Sequence, residues 1–144
     1  MDYYKIQIKI LKAALNKSND YRFGRFNDNI AVIDRRIRIL LVPDNQFFLS
    51  YDRVLNEIAE LSNVNQMLQD DTSFYGNLTG DIKVINKKSY LKIASGKTEV
   101  WVDKDFLIEF DKDCAFKISD FNKPIFVYEK NIMVGMLLPY NTRR

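Results

Sequence analysis

Two carboxylates and a lysine come nearest, in type and spacing, to a catalytic set in this chain. Pro43-Asp44 is followed at a distance by Asp81-Ile82-Lys83. On a strand, Asp81 and Lys83 point to one face, where an acid can hold a divalent metal and a lysine can polarise a water. That is the chemistry of a metal-dependent nuclease. The same chemistry asks for the two acids on neighbouring hairpin strands, whereas a helix and a long loop are predicted between them. Asp44, Asp81 and Lys83 therefore stand as an alternative reading. Other chemistry finds less to work with. No histidine is present, which removes the commonest general base, metal ligand and triad partner. Cys114 sits between Asp113 and Ala115, and neighbouring acids raise a thiol pKa, so a structural role is expected. Ser95-Gly96-Lys97-Thr98 copies the tail of a phosphate loop without its upstream glycine or following helix, and reads as a hairpin turn. Asp103-Lys104-Asp105 and Asp111-Lys112-Asp113 lack the loop of a calcium hand. They read as the charged rim of a helix, with Asp103 and Asp105 complementing its dipole. The expectation is a non-enzymatic protein with no cofactor and no resident metal.

These residues sit in a chain of 144 residues, 47% apolar and 13% aromatic, which suits one globular domain over 1–144. No apolar run approaches the length of a membrane span, no signal-peptide pattern opens the chain, and a single cysteine excludes an intramolecular disulfide. A cytoplasmic protein without membrane contact is expected. The net charge is only +3, but it is unevenly spread. Residues 1–38 hold nine Lys/Arg against four Asp/Glu, and residues 39–144 hold thirteen against fifteen. A basic N-terminal quarter can attract a phosphate backbone, or it can be an ordinary solvated face.

Taken in order, Tyr4-Lys5-Ile6-Gln7-Ile8-Lys9-Ile10 alternates with period two and predicts a strand, followed by a short helix to Leu15. One amphipathic helix through 3–17 competes with that reading. Arg22–Phe26 and Ile30–Ile33 predict strands across Asn27-Asp28-Asn29, and Ile37–Val42 a third, ended by Pro43. Phe47–Leu49 predicts a strand. Ser50 caps an amphipathic helix with Val54, Leu55, Ile58, Ala59 and Leu61 on one side and Asp52, Glu57 and Glu60 on the other. Residues 64–80 read as a polar loop. Asp81–Asn86 and Ser89–Ala94 form a hairpin around Lys87-Lys88, and Thr98–Val102 is a strand. Asp103 caps a helix bearing Phe106, Leu107 and Phe110. Ala115–Ile118, Ile125–Tyr128 and Ile132–Leu138 are strands, the last two joined at Glu129-Lys130-Asn131. The order strand-helix-strand-strand-strand thus occurs over 4–42, 47–102 and 98–139, an α+β class with repeated βαβββ units.

That order resembles a DNA sliding-clamp domain of the bacterial β type. Val102-Asp103-Lys104-Asp105-Phe106-Leu107, then Lys123-Pro124-Ile125-Phe126-Val127, then Met133–Tyr140, is similar to the close of such a clamp. Ile30–Leu41 with Asp34 and Arg38 is similar to an earlier strand pair, departing at the glycine, where Arg35 or Arg36 stands. The resemblance implies antiparallel sheets with two or three short helices packed on one face. It also implies a role in DNA replication, in a single-domain version such as a phage or mobile element carries. Lys5, Lys9, Lys12, Lys17, Arg22 and Arg25 would meet double-stranded DNA without regard to sequence. Leu138, Pro139 and Tyr140 would border a pocket for a partner peptide, or form a plain core strand. One copy of the domain cannot close a ring, so self-association or a replication protein as partner is implied. The acidic helix at 50–62 favours a protein-binding role, and a small binding module or inhibitor without DNA contact is the other reading.

Overall fold

The computed structural model describes residues 1–35, 37–49, 67–69 and 74–140. The chain divides into two compact units, Met1–Gln69 and Asp70–Arg144. The class is α+β. Among the described residues there is one α-helix, and every strand pairing within the two units is antiparallel. No helix of the described residues is long and apolar enough to cross a membrane.

The first unit opens with α1, Tyr3–Leu15. Here the competing single-helix reading is right and the strand at 4–10 is wrong. The period-two alternation is two helical rows seen end to end. Ile6 and Ile10 are four apart and buried, while Tyr4 and Ile8 are four apart on another side. Both helix ends are closed. The Asp2 carboxylate accepts the Lys5 amide at 2.9 Å, which satisfies one open donor of the first turn. At the other end Lys17 adopts φ 55, the Ser18 amide reaches Ala13 O at 2.9 Å, and the Lys17 amide reaches Ala14 O at 3.1 Å. That pair of bonds is a Schellman stop with lysine in the position glycine usually fills.

Strands β1 (Tyr21–Phe26), β2 (Asn29–Asp34) and β3 (Arg38–Pro43) form an antiparallel meander. The β1–β2 turn is Asn27-Asp28, one residue shorter than the expected Asn27-Asp28-Asn29 because Asn29 pairs with Phe26, and Asn27 is at φ 54. From Ile30 to Val42, the residues of β2 and β3 are buried throughout, so these strands read as continuous apolar runs. A single 3-10 turn, Asp44–Gln46, follows. Phe47–Leu49 is not a strand. Its backbone is taken by a side chain instead: the Phe48 amide donates to Gln7 Oε1 at 2.6 Å. The helix expected over 50–62 lies outside the described residues, as do 64–66 and 70–73 of the expected loop.

The second unit holds β4 (Phe74–Ile85), β5 (Lys88–Ala94), β6 (Glu99–Asp103), β7 (Ala115–Ile118), β8 (Ile125–Glu129) and β9 (Ile132–Leu137). Within the unit the order is β9-β8-β7-β4-β5-β6. Residues 74–80, expected as loop, are the first half of β4. Phe74–Gly76 pairs with β7 before the strand shifts register between Leu78 and Ile82 and continues along β5. Asn77 and Leu78 already pair with β5, so the shift is a bulge within the β4–β5 ladder, and Gly80 at φ 87 sits in it, where a backbone conformation open to glycine accommodates the extra residues. Gly76 serves packing instead. A Cβ there would lie 2.9 Å from Ile93 Cγ2 and 3.1 Å from Ile118 Cδ1. The hairpin turns are two-residue pairs with both residues left-handed: Asn86-Lys87 at φ 51 and 67, and Lys130-Asn131 at φ 51 and 63, the geometry that matches strand twist.

The helix expected over 103–110 is a single 3-10 turn, Lys104–Leu107. Asp103 does cap it, accepting the Asp105 amide at 3.0 Å. The bonds that follow are also three-residue ones, Phe110 N to Leu107 O and Cys114 N to Asp111 O, both at 3.2 Å. So short a stretch gains few helical bonds against the cost of nucleation. The turn lies against β5 and β6 and not across β7–β9. Repeated βαβββ units are therefore not what the described residues form. The first unit begins with its helix, and the C-terminal order keeps a turn where a helix was expected.

Candidate functional site

The basic N-terminal residues gather on α1, and what holds that helix decides what its lysines can do. Gln7 is buried, yet all its polar atoms are used. Its Nε2 donates to Tyr3 O at 3.0 Å and Gln46 O at 2.8 Å, and its Oε1 takes the Phe48 amide. A neutral amide thus ties the helix to the 46–48 segment. Tyr4 stacks on Phe48 with ring centroids 5.9 Å apart, and Phe23 meets Phe47 edge-on at 6.5 Å. With Ile6, Gln7 and Ile10 facing inward, Lys5, Lys9 and Lys12 fall on one other side of the helix, within a sector of about 60° at about 100° per residue. Lys5 and Lys12 are exposed and make no ion pair among the described residues.

The other expected DNA contacts are differently placed. Lys17 belongs to the helix stop. Arg22 is exposed on β1. Arg25 is engaged, its Nη1 lying 3.1 and 3.0 Å from the two oxygens of Asp44. Asp34 and Arg38 face each other across β2 and β3 as a buried pair, Nε to Oδ2 at 2.7 Å. The second Asp34 oxygen takes Arg35 Nε at 2.9 Å, which holds that guanidinium above its already high pKa. This cluster closes the β2–β3 hairpin.

In the second unit the strand face of β4, β5 and β6 carries a lysine–aromatic group that sequence reasoning missed. Lys83 Nζ stands 4.3 Å from the Trp101 ring centroid and 5.0 Å from that of Tyr140. Lys92 Nζ stands 5.5 Å from Trp101 and bridges Asp81 at 2.9 Å and Glu99 at 3.6 Å. Tyr140 packs on Tyr90 at 4.3 Å, and its amide donates to Trp101 O at 2.7 Å. Strand pairing supplies the signal in retrospect: Lys83 opposes Tyr90, and Lys92 opposes Trp101. The register had to be known first. Leu138, Pro139 and Tyr140 thus leave β9 and run to β6, with Pro139 buried.

The nuclease letters are occupied within their own units. Asp81 and Lys83 do share the Trp101 face, as strand geometry requires. Lys92, and after it Thr79, hydrogen-bonds Asp81 and holds its carboxyl below the usual range, and Asp81 in turn raises Lys92. Asp44 is held by Arg25. Among the described residues no three acidic, histidine or cysteine side chains converge. Cys114 has its thiol pushed up to about 11, first by burial and then by Glu129, Asp111 and Asp113. The expected direction holds, with burial ahead of the acids. Asp103 and Asp105 act as a turn cap, and Asp111 donates its amide to Glu129 Oε2 at 2.8 Å. Compared with protein-family models, with curated proteins and with solved structures, the chain gives no match in any of the three.

Proposed function

We propose that this chain works by binding and not by catalysis, as a clamp-like protein of DNA replication whose helix α1 lies along the duplex backbone. The observation that carries the reading is the line of Lys5, Lys9 and Lys12 on one side of a helix capped at both ends. Their amines span about 10 Å along the axis, enough for about three phosphate contacts without any base contact. The C-terminal motif residues, Val102–Leu107, Lys123–Val127 and Met133–Tyr140, are what supports the clamp-like part of the reading, and a second copy or a replication partner would complete a ring.

The test is retention of unrelated duplex DNA, followed by fluorescence anisotropy as salt is raised. Three contacts give a log–log slope of about −3. Lys9→Glu with Lys12→Glu should abolish retention, while light scattering reports whether the chain self-associates. No retention at low salt ends the DNA part of the reading. One observation favours the second reading, a protein-binding module without DNA contact: α1 also exposes a row of large apolar side chains.

A further inference from the structure

The apolar residues of α1 fall into two sets. Ile6 and Ile10 are core. Tyr4, Ile8, Leu11 and Leu15 are not, standing 66%, 54%, 40% and 68% exposed. Their spacing is four, three, four, so at about 100° per residue they fall within one sector of about 60°, a seam about 16 Å long. Phe48 is also exposed and stacks on Tyr4, extending the seam at its N-terminal end. In heptad terms Tyr4 and Leu11 are d positions, and Ile8 and Leu15 are a positions. Lys5 and Lys12 then occupy the e positions along one border. The other border is Gln7 and Ala14, the first fixed into the protein's own fold.

We propose that this seam takes a helix of a partner protein, one with an apolar a/d row and a line of Asp or Glu facing Lys5 and Lys12. A narrow a/d stripe is the footprint of another helix, whereas a helix lying in lipid presents a broad apolar face. Charge selects among helices. Two copies of α1 packed antiparallel would set Lys5 and Lys12 of one against those of the other, and packed parallel they would leave both pairs unmatched. An acidic partner neutralises them. The inference rests on the protein-binding reading and asks nothing of DNA.

The experiment titrates the full chain into a labelled synthetic helix of about three heptads, with Leu at a and d and Glu at e and g. The same peptide with Lys in place of Glu is the control. The expected result is capture of the Glu peptide and none of the Lys peptide. Lys5→Glu with Lys12→Glu should weaken Glu-peptide capture about tenfold and gain the Lys peptide. Ile8→Ser with Leu11→Ser should abolish capture with the circular dichroism unchanged, since both side chains are exposed. That variant keeps its lysines, so it also keeps any DNA retention, and loss of one activity is separable from loss of the other. Failure to take the Glu peptide, equal capture of both peptides, or capture that survives Ile8→Ser with Leu11→Ser overturns the proposal. So does binding to phosphatidylcholine–phosphatidylserine vesicles that depends on Ile8 and Leu11 in place of peptide capture, which assigns the seam to lipid. A dimer mass that falls to monomer in the same variant overturns it in favour of a second copy.

Discussion

Lys5 and Lys12 of α1 and Lys83 and Lys92 of β4–β5 are the same residue type under opposite conditions. Lys5 and Lys12 project from a helix whose hold on the protein includes a neutral amide, two isoleucines and the Tyr4–Phe48 stack, and neither lysine is part of it. Lys83 and Lys92 are themselves part of the hold, lying over Trp101 and, for Lys92, between Asp81 and Glu99. A lysine held over a ring face, and for Lys92 between two carboxylates, has to give up those contacts to reach a partner. A lysine with no such neighbour keeps its charge for whatever arrives. Counting bases along the chain cannot separate the two groups. Their neighbours do.

The contrast can be broken by substitution, and the largest effect is expected on the strand face. Trp101→Ala removes the ring under both lysines and should cost about 3 kcal/mol of stability in denaturant unfolding. A cost under one-third of that would mean the ring is not what organises this face. On the helix side, Gln7→Ala leaves Gln46 O and the Phe48 amide without their partner and should cost about 2 kcal/mol, with α1 the first element to lose amide-exchange protection. Lys83→Ala should cost about 1 kcal/mol through its two ring contacts. Lys92→Ala sharpens the comparison through pH. Asp81 has a lowered pKa in the folded protein, so its contribution is present above about pH 4 and is lost as pH falls through that lowered value. The Lys92 variant should therefore show a shallower acid-side fall in melting temperature than the parent. Smallest of all, Lys5→Ala with Lys12→Ala should leave the unfolding midpoint where it was, while taking about two from the salt-dependence slope of DNA retention.

Legibility in the sequence followed how many faces a segment buries and how far its partners lie. The three C-terminal strands were readable within a residue or so, because their runs are apolar and their turns local. Asn27 and Asn131 are residues that tolerate the left-handed backbone a tight hairpin needs, and both carry it here, as does Lys130. The β4–β5 turn was placed one residue late, at Lys87-Lys88 instead of Asn86-Lys87. The N-terminal segment misled for a physical reason. A helix with one apolar row in the core and another in solvent looks like a strand, since Tyr4, Ile6, Ile8 and Ile10 alternate either way. The bonds that settle it join Gln7 to residues 46 and 48, about forty positions along the chain, beyond the reach of any local pattern. The first half of β4 reads as loop because its sequence is polar and glycine-bearing, and it is a strand through the pairing of Phe74–Gly76 with β7 and of Asn77 and Leu78 with β5.

By itself the sequence determined, to within a residue or so, the strands of the β1–β3 meander and the three C-terminal strands, and that histidine chemistry is absent, since these depend on residue type and near neighbours alone. Only the tertiary structure decided that residues 3–15 are a helix with two apolar sides, that Lys83 and Lys92 are occupied, and that Lys5 and Lys12 are not. Those are facts about which distant groups meet, and a side chain's availability is fixed by the groups it meets.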